Sequence, residues 1–343
     1  MKYKIDITER VLHFKQPAGT SRGIYITRKS WFLELTSPDM PGRRGVGECA
    51  PLPSLSCDDM PEYGKTLRAL CDKFEQEGVI DYTVMRPYPS MLFGLETALR
   101  HFEAGSTALF DTPFSRGEEG ITINGLVWMG SYDEMLQRME AKIEQGFHCI
   151  KLKIGAIDFD RELELLRRIR ERFSHHEMTI RLDANGAFLP DEALYKLEQL
   201  SRYAVHSIEQ PIAVRQWANM AGLCRESPLP IALDEELIGV NKPEMKANLL
   251  NVIKPAYIVL KPSLHGGMSG TEEWIAAARA KDIGTWITSA LESNIGLNAI
   301  AQFTANVYGR KICTPQGLGT GQLFIDNIPM PLEIRGEKLW YAE

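Results

Sequence analysis

CIKLKI (149–154), MTIRLD (178–183), VHSIE (205–209), IALD (231–234) and YIVLK (257–261) are five short apolar runs, and each carries a charge at or next to its C-terminal end. Three further runs extend the series, Ile121–Leu126 before it and Thr285–Ser289 and Lys311–Thr314 after it, so that eight starts lie about 26 to 29 residues apart. The intervening stretches have helical periodicity. Ser131-Tyr132-Asp133-Glu134 reads as a capping box, Met135, Met139 and Ile143 form a stripe, and Gly146 can end that helix. Leu163, Leu166, Ile169 and Phe173 repeat the stripe one period later. Each period is one β/α unit. Eight such units predict a closed parallel barrel, with an open doubly wound sheet as the alternative. The open sheet calls for a glycine-rich phosphate turn after its first strand; Gly125 stands alone there, and Gly317-Leu318-Gly319-Thr320-Gly321 comes at the wrong end of the series.

The first 115 or so residues read differently. Segments 2–13 and 22–36 alternate polar and apolar residues, with Tyr25, Ile26, Trp31 and Phe32 favouring strands. Helical periodicity follows at Glu62–Gln76 and Leu92–Glu103. This predicts an α+β unit ahead of the barrel, with Lys15–Gly23 and Gly47–Ser56 as loops. The 343 residues are 44% hydrophobic and 24% charged, which excludes a disordered or fibrous chain, and 39 basic against 45 acidic residues leave no footprint for nucleic acid or an anionic membrane. No run approaches the ~18 apolar residues of a membrane span, and the alternating N-terminus is unlike a signal peptide. The six scattered cysteines (Cys49, Cys57, Cys71, Cys149, Cys224 and Cys313) include no C-x-x-C. The expectation is reduced thiols in a cytoplasmic protein.

The charges at the strand ends carry the chemistry. Enzymes built on parallel barrels place their sites on the C-terminal rim of the strands. Here that rim presents Lys151 and Lys153, Arg181 and Asp183, Glu209, Asp234 and Lys261 on five consecutive strands. Side chains two apart on a strand share a face. Three carboxylates converging from adjacent strands are costly without a cation, and an all-oxygen set of Asp183, Glu209 and Asp234 favours Mg²⁺ or Mn²⁺ over zinc. The lysines stand four strands apart in a ring of eight and so flank anything the metal holds. That arrangement suits removal of a proton α to a carboxylate, because a divalent ion stabilises the enediolate charge that develops. A lysine base must be partly neutral near pH 7, and the charges of Lys151 and the metal push Lys153 in that direction.

At these residues the chain resembles the enolase superfamily, in its muconate-lactonizing-like branch, whose pairing of lysine with Mg²⁺ is an established pattern. The resemblance rests on Lys151-Leu152-Lys153, the Asp183/Glu209/Asp234 set and Lys261-Pro262-Ser263. It implies an α/β fold: a (β/α)₇β barrel over 118–320, an α+β capping domain over 1–117 and a C-terminal segment over 321–343 that returns to the cap. Within the branch, Gly47–Pro53, Arg181–Asn185, Ser289–Gly296 and Gly317–Thr320 resemble the o-succinylbenzoate synthase family. That resemblance implies syn dehydration of a cyclohexadiene carboxylate, with Lys153 as the base that then protonates the departing hydroxide and Lys261 as the cation that stabilises the enediolate. Arg181, Thr288 and the backbone N–H of Gly317 are the expected substrate contacts. Gly319 departs from the family pattern, which has Asp there. Racemisation or epimerisation of N-acylamino acids or dipeptides is the alternative, since two opposed lysines serve it equally well. Thr314-Pro315-Gln316-Gly317 lacks the Asp-x-Asp that the dipeptide epimerases of this branch carry.

Other residues are read more plainly. His265-Gly266-Gly267 is expected to shape a loop, His175-His176 to be solvated, and Glu292 to make a structural contact or add an acid near the mouth. The tryptophans are expected to be packing residues. The loops 15–23 and 47–56 are placed to close over a substrate.

Overall fold

The computed structural model describes residues 1–20, 23–312 and 314–342. The chain opens with an antiparallel sheet, β1 (Lys4–Thr20), β2 (Gly23–Thr36) and β3 (Arg44–Cys49), followed by α1 (Tyr63–Glu77), α2 (Tyr82–Met85) and α3 (Pro89–Ala104). Leu33 and Leu35 of the sheet pack on Leu67, Phe74, Leu95 and Ala98 of the helices, forming a core separate from that of the barrel. α3 lies so close to β3 that a Cβ on Gly47 would sit 1.9 Å from the Gly94 carbonyl oxygen, which explains the glycine in Gly47-Glu48-Cys49.

The segment expected as a loop, Lys15–Gly23, is strand on both sides of Ser21 and Arg22, which lie outside the described residues. Pairing resumes at Ala18–Tyr25 after a register shift beyond His13. The hairpin is held because Phe14 and Ala18 turn inward onto Leu52, Leu291 and Phe324, and Tyr25 Oη donates to the Pro53 carbonyl at 2.8 Å.

The first barrel run is divided. β4 (Ile121–Thr122) pairs with the C-terminal hairpin, and β5 (Gly125–Val127) begins the barrel. There follow α4 (Tyr132–Glu144), β6 (Cys149–Lys153), α5 (Phe159–Arg172), β7 (Thr179–Asp183), α6 (Pro190–Ser201), β8 (Ser207–Glu209) and α7 (Trp217–Glu226). The series continues through β9 (Ile231–Leu233), α8 (Pro243–Ile253), β10 (Tyr257–Leu260), α9 (Gly267–Arg279), β11 (Gly284–Ile287) and α10 (Asn294–Tyr308). The predicted box caps α4 as expected, with Ser131 and Glu134 each accepting from the other's backbone N–H. β5 to β11 run parallel in sequence order.

The eighth stave is not at Lys311–Thr314. Cys313 lies outside the described residues, and Gly309–Lys311 is a turn of 3₁₀ helix. Gln316 and Gly317 close the ring instead. Gly317 N–H donates to Ile287 O at 2.8 Å, and Gln316 N–H donates to Thr122 O at 2.8 Å. This closure excludes the open sheet. The chain then runs beside the cap, where Ile325 N–H donates to His13 O at 2.8 Å, and ends in the hairpin β12 (Leu332–Arg335) and β13 (Lys338–Tyr341). No helix among the described residues is long and apolar enough to cross a membrane.

Candidate active site

The register of the parallel strands sets the site. Lys153 lies beside Asp183, and Asp183 beside Glu209, so the charges of β6, β7 and β8 come out level on one rim. Asp234 directly follows β9 and Lys261 directly follows β10, at the C-terminal ends of those strands. Carboxylate oxygens of Asp183, Glu209 and Asp234 all lie within 4.8 Å of one another, and all three residues are buried. Like charges this close need a cation. Lysines supply part of it: Lys151 Nζ reaches Asp183 Oδ2 at 3.0 Å and also contacts Glu209, Lys153 Nζ reaches Asp183 Oδ2 at 3.0 Å, and Lys261 Nζ donates to Asp234 Oδ2 at 2.6 Å.

Electrostatics follow from this geometry. Burial pulls the Lys151 ammonium down, yet Asp183 and Glu209 outweigh it and hold it above its ordinary value. Burial likewise lowers Lys261, but Asp234 and Glu235 outweigh it and hold it above its ordinary value. Burial pushes Asp183 up, but Lys151, Lys153 and Lys261 hold it below the usual carboxylate range. Glu209 goes the other way: burial, reinforced by Asp183 and Asp234 against the attraction of Lys151, pushes it up to about 7.

Two buried carboxylate oxygens, Glu209 Oε1 and Asp234 Oδ1, have no hydrogen-bond partner among the described residues. Oxygens of that kind, converging with the Asp183 carboxylate in a set that holds neither sulfur nor imidazole, match a hard divalent cation. Asp183, Glu209 and Asp234 are therefore the residues that could hold one.

Above the acids lies a cavity with a charged floor and apolar walls. Lys151, Lys153, Asp183, Asn185, Glu235 and Lys261 line its polar end. Leu52 and Leu55 of the cap, with Leu126, Trp128, Trp286 and Leu291 of the barrel, line the rest. The loop expected at 47–56 begins only after Cys49, because 47–49 pair with β2 as the end of β3, and its Leu52 and Leu55 reach the cavity from the cap. β6 and β10 are separated by β7, β8 and β9, so Lys153 and Lys261 approach the acids from opposite sides.

Residues 134–328 match the family described as enolase C-terminal domain-like. The chain is 45% identical to an o-succinylbenzoate synthase from Desulfotalea psychrophila, across 95% of each chain. This chain belongs to the o-succinylbenzoate synthase family of the enolase superfamily. The crystal structure of MenC from Desulfotalea psychrophila is similar along the whole length, with a TM-score of 0.83 and 39% identity over 99% of this chain and 100% of that one. Similarity to an L-Ala-D/L-Glu epimerase from Bacillus subtilis is 28% identity over 52% of this chain and 49% of that protein. The o-succinylbenzoate synthase sequence match therefore extends through cap and barrel alike, and the epimerase sequence match spans only half, although the fold of that epimerase is shared over the whole chain, with a TM-score of 0.81 at 20% identity.

Two of the expected substrate contacts in this family member are corrected by the structure. Arg181 is 1% exposed; its guanidinium lies 4.2 Å from the Trp286 ring centroid and donates to Pro315 O at 2.8 Å. It braces the underside of Trp286 and is not among the residues lining the cavity. Gly317 lines the cavity, but its N–H is engaged by Ile287 O in closing the barrel. Its lack of a side chain is what matters, since a Cβ there would lie 2.1 Å from Thr288 Oγ1. Thr288 does line the cavity, with its hydroxyl donating to Gly317 O at 2.8 Å.

His265 shapes a loop as expected: its buried Nδ1 accepts from Lys261 N–H at 2.9 Å, and burial beside Lys261 and Lys246 keeps the ring well below its ordinary pKa. Glu292 is structural, accepting from Ser263 Oγ and from Ala290 N–H. His175 and His176 are exposed. Asn185, Glu235 and the Ser289–Thr320 hydroxyl pair, 2.6 Å apart, also line the site and were assigned no role from the sequence. Two of these carried a signal, since Asn185 stands two residues beyond Asp183 and Glu235 follows Asp234.

Proposed function

We propose that the protein catalyses the syn dehydration of 2-succinyl-6-hydroxy-2,4-cyclohexadiene-1-carboxylate to o-succinylbenzoate, with Mg²⁺ held by Asp183, Glu209 and Asp234. The observation that carries this reading is the convergence of those three carboxylates between two lysines at the floor of one cavity, in a chain 45% identical to an o-succinylbenzoate synthase over nearly its whole length. The metal, when bound, supplies positive charge against the substrate carboxylate as negative charge builds there.

The chain's own residues do the rest. Lys153 Nζ takes the proton on the carbon that bears the carboxylate, and the C–H electron pair passes into the enediolate. That pair then forms the new ring double bond as the C–O bond breaks, and the departing hydroxide takes a proton from the same Nζ to leave as water. One lysine serves both steps because proton and hydroxide leave from one face. Lys261, held cationic by Asp234, faces the developing charge from the other side. Lys151 keeps a positive charge between Asp183 and Glu209, and Thr288 contacts the substrate, a role supported by its position in the cavity lining. The apolar walls limit water and so strengthen each of these interactions.

Incubating the purified chain with the hydroxycyclohexadiene carboxylate and Mg²⁺ tests the reading, alongside an N-succinylamino acid and L-Ala-L-Glu. Formation of o-succinylbenzoate, lost with EDTA and restored by Mg²⁺, is expected. Turnover confined to the amino-acid substrates would replace the dehydration with epimerisation.

A further inference from the structure

We propose that Glu235 is a positioning residue for Lys153, acting through the side-chain amide of Asn185; this rests on the assignment of Lys153 as the base. Lys153 Nζ is held at two points, by Asp183 Oδ2 at 3.0 Å and by Asn185 Oδ1 at 2.7 Å. An amine with N–H groups on those two acceptors keeps its remaining direction for the cavity, which Lys153 lines. That is the direction the lone pair must take to receive a substrate proton.

The arrangement works only if Asn185 turns its oxygen, not its NH₂, toward Lys153. The two ends of an amide are nearly equal in size, so shape alone does not choose between them. Glu235 makes the choice. Asn185 Nδ2 donates to Glu235 Oε1 at 2.8 Å, and a flipped amide would set NH₂ against the lysine amine and oxygen against a carboxyl oxygen. The Asn185 backbone is already fixed in the left-handed region at φ 45°, with its N–H on Asp183 Oδ1 at 3.1 Å, so the amide rotation is the freedom that remains. A carboxyl oxygen accepts whether or not the group is ionised, and the contact is therefore independent of the titration of Glu235. Glu235 is 7% exposed and opens the 3₁₀ turn directly after Asp234, and its other oxygen has no hydrogen-bond partner among the described residues. One turn thus carries an acid of the cluster and the group that orients the base.

Three full-length variants, Glu235→Gln, Glu235→Leu and Asn185→Ala, test this in the presence of Mg²⁺. Glu235→Leu should lower kcat by about 100-fold while KM and Mg²⁺ affinity stay within about threefold of wild type. Glu235→Gln keeps an acceptor at Oε1 and should remain within about fivefold. In the Asn185→Ala background, the leucine substitution should cost nothing further. A kcat for Glu235→Leu near that of wild type, a loss confined to KM or to metal affinity, or a glutamine variant as impaired as the leucine variant would overturn the proposal. Should the leucine variant fail to fold, Glu235→Ala is read by the same criteria. Wild-type turnover is the control for the reaction itself. If it is absent the assigned reaction fails, and a crystal structure of the Glu235 variant then decides the positioning alone: the proposal requires the Asn185 amide to have left Lys153, and a retained 2.7 Å contact refutes it.

Discussion

Replacing Glu48 by Ala should uncouple the cap from the barrel. Glu48 ends up fully buried between β3 and the start of α10, where its carboxylate accepts from Ser30 Oγ at 2.9 Å, Ser293 Oγ at 2.6 Å, Ser293 N–H at 3.0 Å and Gly296 N–H at 3.0 Å. Burial raises its pKa, and the hydrogen bonds from Ser293 oppose that rise. Alanine would leave four donors without their acceptor at a fully buried position. Each buried donor stranded in this way costs about 1–3 kcal/mol. The negative charge at the N-terminus of α10 contributes roughly another 0.5–1 kcal/mol. With the Ser30 and Ser293 hydroxyls free to rotate toward other acceptors, the expected loss lies at the low end of that range, about 4–5 kcal/mol. Urea unfolding followed by both fluorescence and circular dichroism reads this directly. The wild type should unfold in one transition, and Glu48→Ala at a clearly lower midpoint, with Glu48→Gln between the two. A Glu48→Ala midpoint corresponding to less than about 1 kcal/mol of destabilisation would refute the account of this carboxylate as the clasp between cap and barrel.

Lys153→Ala should lower kcat by about a thousandfold or more with Mg²⁺ affinity retained; near-normal turnover would remove Lys153 as the base. His206 gives the acid side of the stability profile. Burial, with Arg181 adding to it, lowers its pKa to about 4, so the folded chain keeps the ring neutral while an unfolded chain protonates it at its ordinary value. Its contribution is complete above pH 6.5 and is lost as pH falls toward 4, amounting to about 1–2 kcal/mol after allowance for partial exposure. His206→Gln should flatten the stability profile between pH 6.5 and 4; an unchanged slope in urea titrations would exclude His206 as its source.

Much of the site was legible because a parallel barrel leaves a simple trace. Buried strands must be apolar, so a charge at the end of a run marks where the chain reaches the rim, and the parallel register brings Lys153, Asp183 and Glu209 level without any help from the loops. The misplaced eighth strand shows where that logic stops. The ring is closed by two residues, Gln316 and Gly317, and two residues give no period to detect. Arg181 failed for another reason. Alternation puts it on the same side of β7 as Asp183, but Trp286, arriving from a strand far off in sequence, covers its guanidinium. The Lys15–Gly23 hairpin was hidden by its Pro, Gly and Ser, since what straightens it is the contact of Phe14 with Phe324, about three hundred residues away. Asn185 and Glu235 were overlooked because their hydrogen bond joins two loops whose proximity exists only in the closed barrel.

Titration of the apo protein with Mn²⁺, followed by electron paramagnetic resonance, tests the three-carboxylate site most directly. One tightly bound ion per chain is expected, displaced by Mg²⁺, with affinity reduced at least about tenfold by Asp234→Asn and left nearly unchanged by Lys153→Ala. Tight binding that survives Asp183→Asn, Glu209→Gln and Asp234→Asn alike would contradict it.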